Sequence, residues 1–151
     1  MSEPQLRFVR TDDVPQMEVL AQNHGDTYVG ARLRFLERGR YTVNICDYDP
    51  GLTVERHGHS SDHLLYVLEG DLMVGDTHCP TGTLIMLDHG AEFGPLVAGP
   101  NGARLFEHYS GEVTPVPSPD QSAFHAHLES NGITELPRPY LNAKGENTLA
   151  Q

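Results

Sequence analysis

The sequence predicts an all-β fold, an antiparallel sandwich or barrel, and three observations carry that reading. Short runs rich in Val, Leu, Ile, Tyr and Thr recur at roughly ten-residue spacing. Turn signals separate them. No stretch shows the helix–strand alternation of a parallel α/β protein. The runs are TVNICDY, LTVERH, HLLYVLEG, LMVG, TLIML and ARLFEHY. Between them stand Arg38-Gly39, Asp49-Pro50-Gly51, Glu69-Gly70, Gly75-Asp76, Pro80-Thr81-Gly82, His89-Gly90 and Gly99-Pro100-Asn101-Gly102. Gly and Pro supply the backbone angles that tight turns need.

A chain of 151 residues fits one domain with a real apolar core. Residues 1–40 read as N-terminal strands or an arm, with YVGARLRFLE as the strand-like piece. Residues 41–111 read as the barrel core. Residues 112–151 read as a connector, a short helix and a tail. TPVPSPDQ is the proline-rich connector, and Ser118 is placed to cap a helix, with Pro119 in its first turn and Gln121 at the reciprocal capping position. Phe124 and Leu128 would share one face of that helix, and Asn131-Gly132 would end it.

The net charge of −11 argues against nucleic acid, whose phosphates need clustered Lys and Arg, and against an anionic membrane surface. A small-molecule substrate is the expected partner. No apolar stretch is long enough to span a bilayer, and MSEPQLRFVRTDD lacks the apolar centre of a signal peptide, so the cytoplasm is the expected location. Cys46 and Cys79 read as two free thiols of a reducing compartment, with Cys46 a small buried hydrophobe on a strand.

The informative stretch is VERHGHSSDHLLYVLEGDL, Val54 to Leu72. On a strand, side chains two apart share a face, so His57 and His59 project together, with Thr53 and Glu55 on the same side. Ser60-Ser61-Asp62 reads as a hairpin turn that brings His63 back toward them. Three imidazoles on a rigid β-framework suit a divalent metal, with positions left for water or substrate. Glu55 on that face is a candidate proton carrier. His125 and His127, two apart on a helix, point to nearly opposite sides and cannot share an ion. His24 and His78 read as loop or turn residues, and His108, on a late strand, as facing either way.

Gly51-x5-His57-x-His59-x3-His63-x6-Gly70 resembles the first motif of the cupin superfamily, G-x5-HxH-x3-E-x6-G, with His63 where that family usually has glutamate. Pro80-Thr81-Gly82 and TLIML resemble the start of the second motif. The resemblance covers about residues 40–110. It implies an antiparallel jelly-roll β-barrel holding a divalent metal (Fe, Zn, Ni, Mn or Cu), and a homodimer. The usual last histidine position holds Phe93, which cannot ligate; Glu92 beside it, or His89 on the entering loop, would complete the site if the backbone is displaced there. Otherwise His57, His59 and His63 act alone.

The resemblance implies a metal-dependent enzyme acting on a small oxygenated molecule, with dioxygenase chemistry leading. A non-oxidative isomerase, cyclase or lyase, with Glu55 or Glu92 moving protons, is the alternative. A non-catalytic metal- or ligand-binding module is the third reading.

Overall fold

The structure, a computed structural model, describes residues 2–140, 144 and 148. Most of the chain is antiparallel strand, with one helix among the described residues. The strands are β1 (Met17–His24), β2 (Thr27–Arg38), β3 (Thr42–Tyr48), β4 (Thr53–Val54), β5 (His57–His59), β6 (His63–Val74), β7 (Thr77–Pro80), β8 (Leu84–Leu87), β9 (Glu92–Phe93), β10 (Leu96–Tyr109), β11 (Pro115–Pro117) and β12 (Ile133–Glu135). The helix α1 spans Ser122–Asn131.

Two sheets face each other. The larger runs β12-β1-β2-β3-β10-β6-β7, with β4 also on β10 and β8 also on β6; the smaller runs β11-β5-β9. Period-two alternation builds the interior. Along β6, His63, Leu65 and Val67 are buried while Tyr66 and Leu68 are exposed. Along β10, Leu105, Glu107 and Tyr109 point inward in the same way. Leu52, Leu65, Val67, Leu72, Leu96 and Leu105 are fully buried and anchor one core that also takes in Val19, Val29, Ala31 and Leu33 from β1 and β2. The first two strands therefore extend the same sheet as the central ones. β12 closes against β1 with Gln22 opposite Glu135. No helix of the described residues is long and apolar enough to cross a membrane.

Three sequence expectations change in detail. LTVERH is not one strand: it breaks at Glu55-Arg56 into β4, which pairs with β10, and β5, which pairs with β11 and β9. β5 and β6 are not arms of a hairpin. They lie in different sheets, and residues 60–62 carry the chain from one to the other. The helix begins at Ser122 rather than just after Ser118. Ser118 is occupied elsewhere: its hydroxyl donates to Glu92 and its backbone N–H to the Arg56 carbonyl at 3.0 Å. The Asp120 carboxylate instead accepts the Ser122 N–H at 2.9 Å. At the other end Gly132 takes the left-handed conformation that stops the helix, and Phe124, Leu128 and Ile133 form a small cluster of their own. Both cysteines are free and buried.

Gly58, between the two histidines of β5, lies hard against β9. A Cβ there would stand 2.5 Å from the Ala91 carbonyl oxygen. Gly58→Ala should therefore push β5 and β9 apart and cost about 1–3 kcal/mol. Urea unfolding reads this directly; an unchanged midpoint would mean that β9 yields freely.

Candidate metal centre and binding cavity

His57 and His59 leave β5 on its inner side, and His63 enters from the first residue of β6. The three converge because the two sheets face one another where the chain crosses between them. All are buried. The ring of His59 stands edge-to-face with both others, at 5.1 Å from His57 and 4.6 Å from His63 between centroids. His57 Nδ1 donates to the Glu55 carbonyl at 2.8 Å, which leaves Nε2 for the cavity. Both ring nitrogens of His59 and Nδ1 of His63 are buried with no hydrogen-bond partner.

Polar atoms stranded in this way are costly unless something fills the gap. Among the described residues no three His, Cys, Asp or Glu side chains already close around one point. The imidazoles share a chamber rather than a finished coordination shell. Their donor chemistry nevertheless fits a divalent cation, since neutral imidazole nitrogens in a dry site are what such ions take.

Burial lowers the basicity of the rings. Desolvation, then the neighbouring His63 and His57, push His59 down to about 3, and desolvation lowers His57 as well. His57 and His59 are thereby held toward the neutral form and present lone pairs.

The sequence reading passed over one group beside them. Glu107, on β10, is buried, and its Oε2 lies 3.5 Å from His63 Nε2. Burial opposes its charge, but the hydrogen bonding and charge of His63, with the Tyr109 hydroxyl donating to the carboxylate, outweigh that and hold it below the ordinary glutamate range. Tyr109 stacks on His63 at 4.1 Å and an interplanar angle of 12°. Its hydroxyl is pushed well up, first by burial and then by Glu107. The strand phase of LFEHY was the available signal: Leu105, Glu107 and Tyr109 share a face, whereas His108 falls on the other and does not line the cavity.

Glu92 goes elsewhere. It is exposed, accepts from Ser118, and lies 3.5 Å from Arg56 on the outer side of β9. Phe93, in the next position, is the one that turns inward, with its ring 4.9 Å from His57 and 6.1 Å from His63. The backbone is not displaced to bring Glu92 in, because β9 keeps its register with β5, Phe93 opposite His57. His89 is exposed on its turn, its N–H donating to Asp62.

The cavity in front of the histidines measures about 360 Å³, within the range of small-ligand sites. Val19, Leu33, Val54, Leu65 and Phe93 give it apolar walls. Glu55 lines it too, but not as a lone carboxylate: Arg138 donates to it through Nη2 and to the Tyr140 hydroxyl through Nη1 at 2.6 Å. Leu136 and Pro137 complete that wall, and the segment is held by the Leu136 N–H donating to Ala21 at 3.0 Å. The cavity wall thus carries two polar groups, the imidazoles and the guanidinium with its phenol. Arg138 lies 83 residues from Glu55, and no sequence pattern links them.

No protein-family model matches the chain, and no curated protein matches it. Solved structures do. A candidate acetylacetone dioxygenase from Methylibium petroleiphilum PM1 superposes with a TM-score of 0.62 at 17% identity, over 81% of this chain and 88% of that one. The polyketide cyclase RemF from Streptomyces resistomycificus gives 0.59 at 20% identity, over 84% and 99%. An RmlC-like cupin protein from Ralstonia eutropha JMP134 gives 0.55 at 13%, over 87% and 92%. This likeness shows the fold, a cupin-type jelly roll.

The Glu55–Arg138 pair, with side chains 14% and 26% exposed, should behave as a half-buried ion pair. A double-mutant cycle with Glu55→Gln and Arg138→Met should return a coupling on the order of 1 kcal/mol in urea unfolding. Strict additivity would show that the pair does not hold the C-terminal segment to the cavity.

Proposed function

We propose that this chain is a metal-dependent enzyme acting on a small oxygenated organic molecule, with chemistry of the dioxygenase type. One observation carries the reading: three buried imidazoles from two facing sheets border a ligand-sized cavity, and both ring nitrogens of His59 and Nδ1 of His63 lack any partner. His57, through Nε2, with His59 and His63 would hold the ion. Iron, zinc, nickel, manganese and copper all accept such donors, and Fe(II) is the ion of the dioxygenase reading. When bound, it supplies Lewis acidity toward substrate oxygens and, as iron, a redox couple for dioxygen. The likeness in fold to a candidate acetylacetone dioxygenase supports this assignment.

The chain's own residues supply the rest. Leu33, Leu65, Val54 and Phe93 keep water from the substrate's apolar body. Arg138 and Tyr140, also on the cavity wall, would take a polar group of the substrate, so the substrate expected is small, partly apolar and oxygenated. Glu55, beside the Arg138 guanidinium and two residues from His57, is placed to receive or return a proton on the substrate. Glu92, facing outward, takes no part.

Glu55 on the cavity wall, with the fold likeness to a polyketide cyclase, favours one second reading: a non-oxidative cyclase, isomerase or lyase in which the ion only polarises a carbonyl. Anaerobic reconstitution with Fe(II) or Zn(II), followed by elemental analysis, should give one ion per chain. The iron form should consume oxygen with short 1,3-diketones, and His59→Ala should lose both metal and uptake. Turnover by the zinc form without oxygen would move the assignment to the second reading. A wild-type protein that retains no ion would sink both.

A further inference from the structure

The proposed centre has neutral donors from β5 and β6, yet the position that usually brings a carboxylate to it carries His63 instead. A carboxylate is nonetheless present in the chamber by another route. β10 pairs with β6 so that Tyr109 stands opposite His63 and Glu107 opposite Leu65. Residues diagonal to one another on adjacent strands share a face within reach of long side chains. That diagonal puts Glu107 Oε2 3.5 Å from His63 Nε2.

The surroundings of Glu107 contain acceptors but few donors. It is 4% exposed, and no Lys or Arg pairs with it among the ion pairs of the described residues. Tyr109 donates one hydroxyl to it. Across the sheet on β3, directly opposite Glu107, Asn44 holds a buried Oδ1 with no partner, and both ring nitrogens of His59 and Nδ1 of His63 have none either. A buried carboxylate without a cationic side chain is unfavourable. The carboxylate thus lines the same chamber as the three imidazoles, with no Lys or Arg to share its charge.

We propose that Glu107 is the anionic ligand of the metal centre, completing a three-histidine, one-carboxylate set with His57, His59 and His63. This rests on the metal reading above. The carboxylate has moved from β6 to the strand hydrogen-bonded beside it, and Phe93 stays an apolar wall. The centre then carries one negative charge from the protein rather than none. Tyr109 positions the carboxylate by holding one of its oxygens, and Glu92 is not needed.

The test uses the full-length protein stripped of metal, titrated with Co(II) against a competing chelator and followed by visible absorption. Glu107→Gln keeps the shape and an oxygen for Tyr109 while removing the charge. It should weaken Co(II) binding by at least about 10- to 100-fold, the loss typical when a carboxylate supporting a metal site is removed. It should also alter the Co(II) ligand-field bands. Urea unfolding without metal serves as the control for folding: Glu107→Gln keeps the packing and an acceptor for the Tyr109 hydroxyl, so it should still unfold cooperatively near the wild-type midpoint. Wild-type affinity and an unchanged spectrum in Glu107→Gln would overturn the assignment while leaving the metal reading intact. Loss of metal-free stability in Glu107→Gln, with Co(II) affinity retained, would overturn it too by making Glu107 a structural partner of His63. If wild type took up no Co(II), the metal reading itself would fail first.

Discussion

Everything about the site depends on the chain changing sheets between His59 and His63. β5 belongs to the small sheet and β6 to the large one, so residues 60–62 span the gap and the imidazoles on either side point into the space between. Had the same residues formed a hairpin within one sheet, the histidines could still have shared a face, but with only one wall behind them. Instead Phe93 of the small sheet and Tyr109 of the large one pack against the rings from opposite sides. The sandwich buries the rings, and that burial favours the neutral form of His57 and His59. Close approach of the strands is part of this. Gly58 leaves room for β9 to press onto β5, so the residue between the two histidines matters for its missing side chain.

The cavity is assembled from both ends of the chain as well as its middle. β1 and β2 contribute Val19 and Leu33 to its wall, and the segment after β12 adds Arg138 and Tyr140. That segment is fastened by backbone pairing with β1, by Leu136, and by the Glu55–Arg138 contact. Its tie to Glu55 links that segment to the histidines, since the backbone carbonyl of Glu55 also orients His57. A change at Arg138 is therefore felt at the histidine through one residue.

Legibility in the sequence followed the range of the interaction. His57, His59 and His63 stood out because spacing along seven residues encodes a shared face. The strands at 42–48, 63–70 and 103–109 stood out because alternation and turn residues are local. So did the end of the helix, which Gly132 stops by its own conformation. The start of the helix was misplaced because Ser118 is claimed by Glu92 and Arg56, partners 26 and 62 positions away in a chain that must first fold. Glu92 was offered as a ligand only for a displaced backbone, and it is the pairing of β9 with β5 that shows no displacement and turns Phe93 inward.

By itself, then, the sequence determined the strand-and-turn architecture, the three-histidine cluster and the poverty of positive charge, since each is written in neighbouring residues. The tertiary structure alone decided which carboxylate stands by the imidazoles, that Glu55 meets Arg138, and that the histidines arrive from two sheets rather than one. The physical reason is register. Glu107 reaches His63 through the alignment of β10 with β6, and Arg138 reaches Glu55 through the docking of a distant segment. Such alignments are chosen by the fit of the whole core, and no short stretch of chain records them.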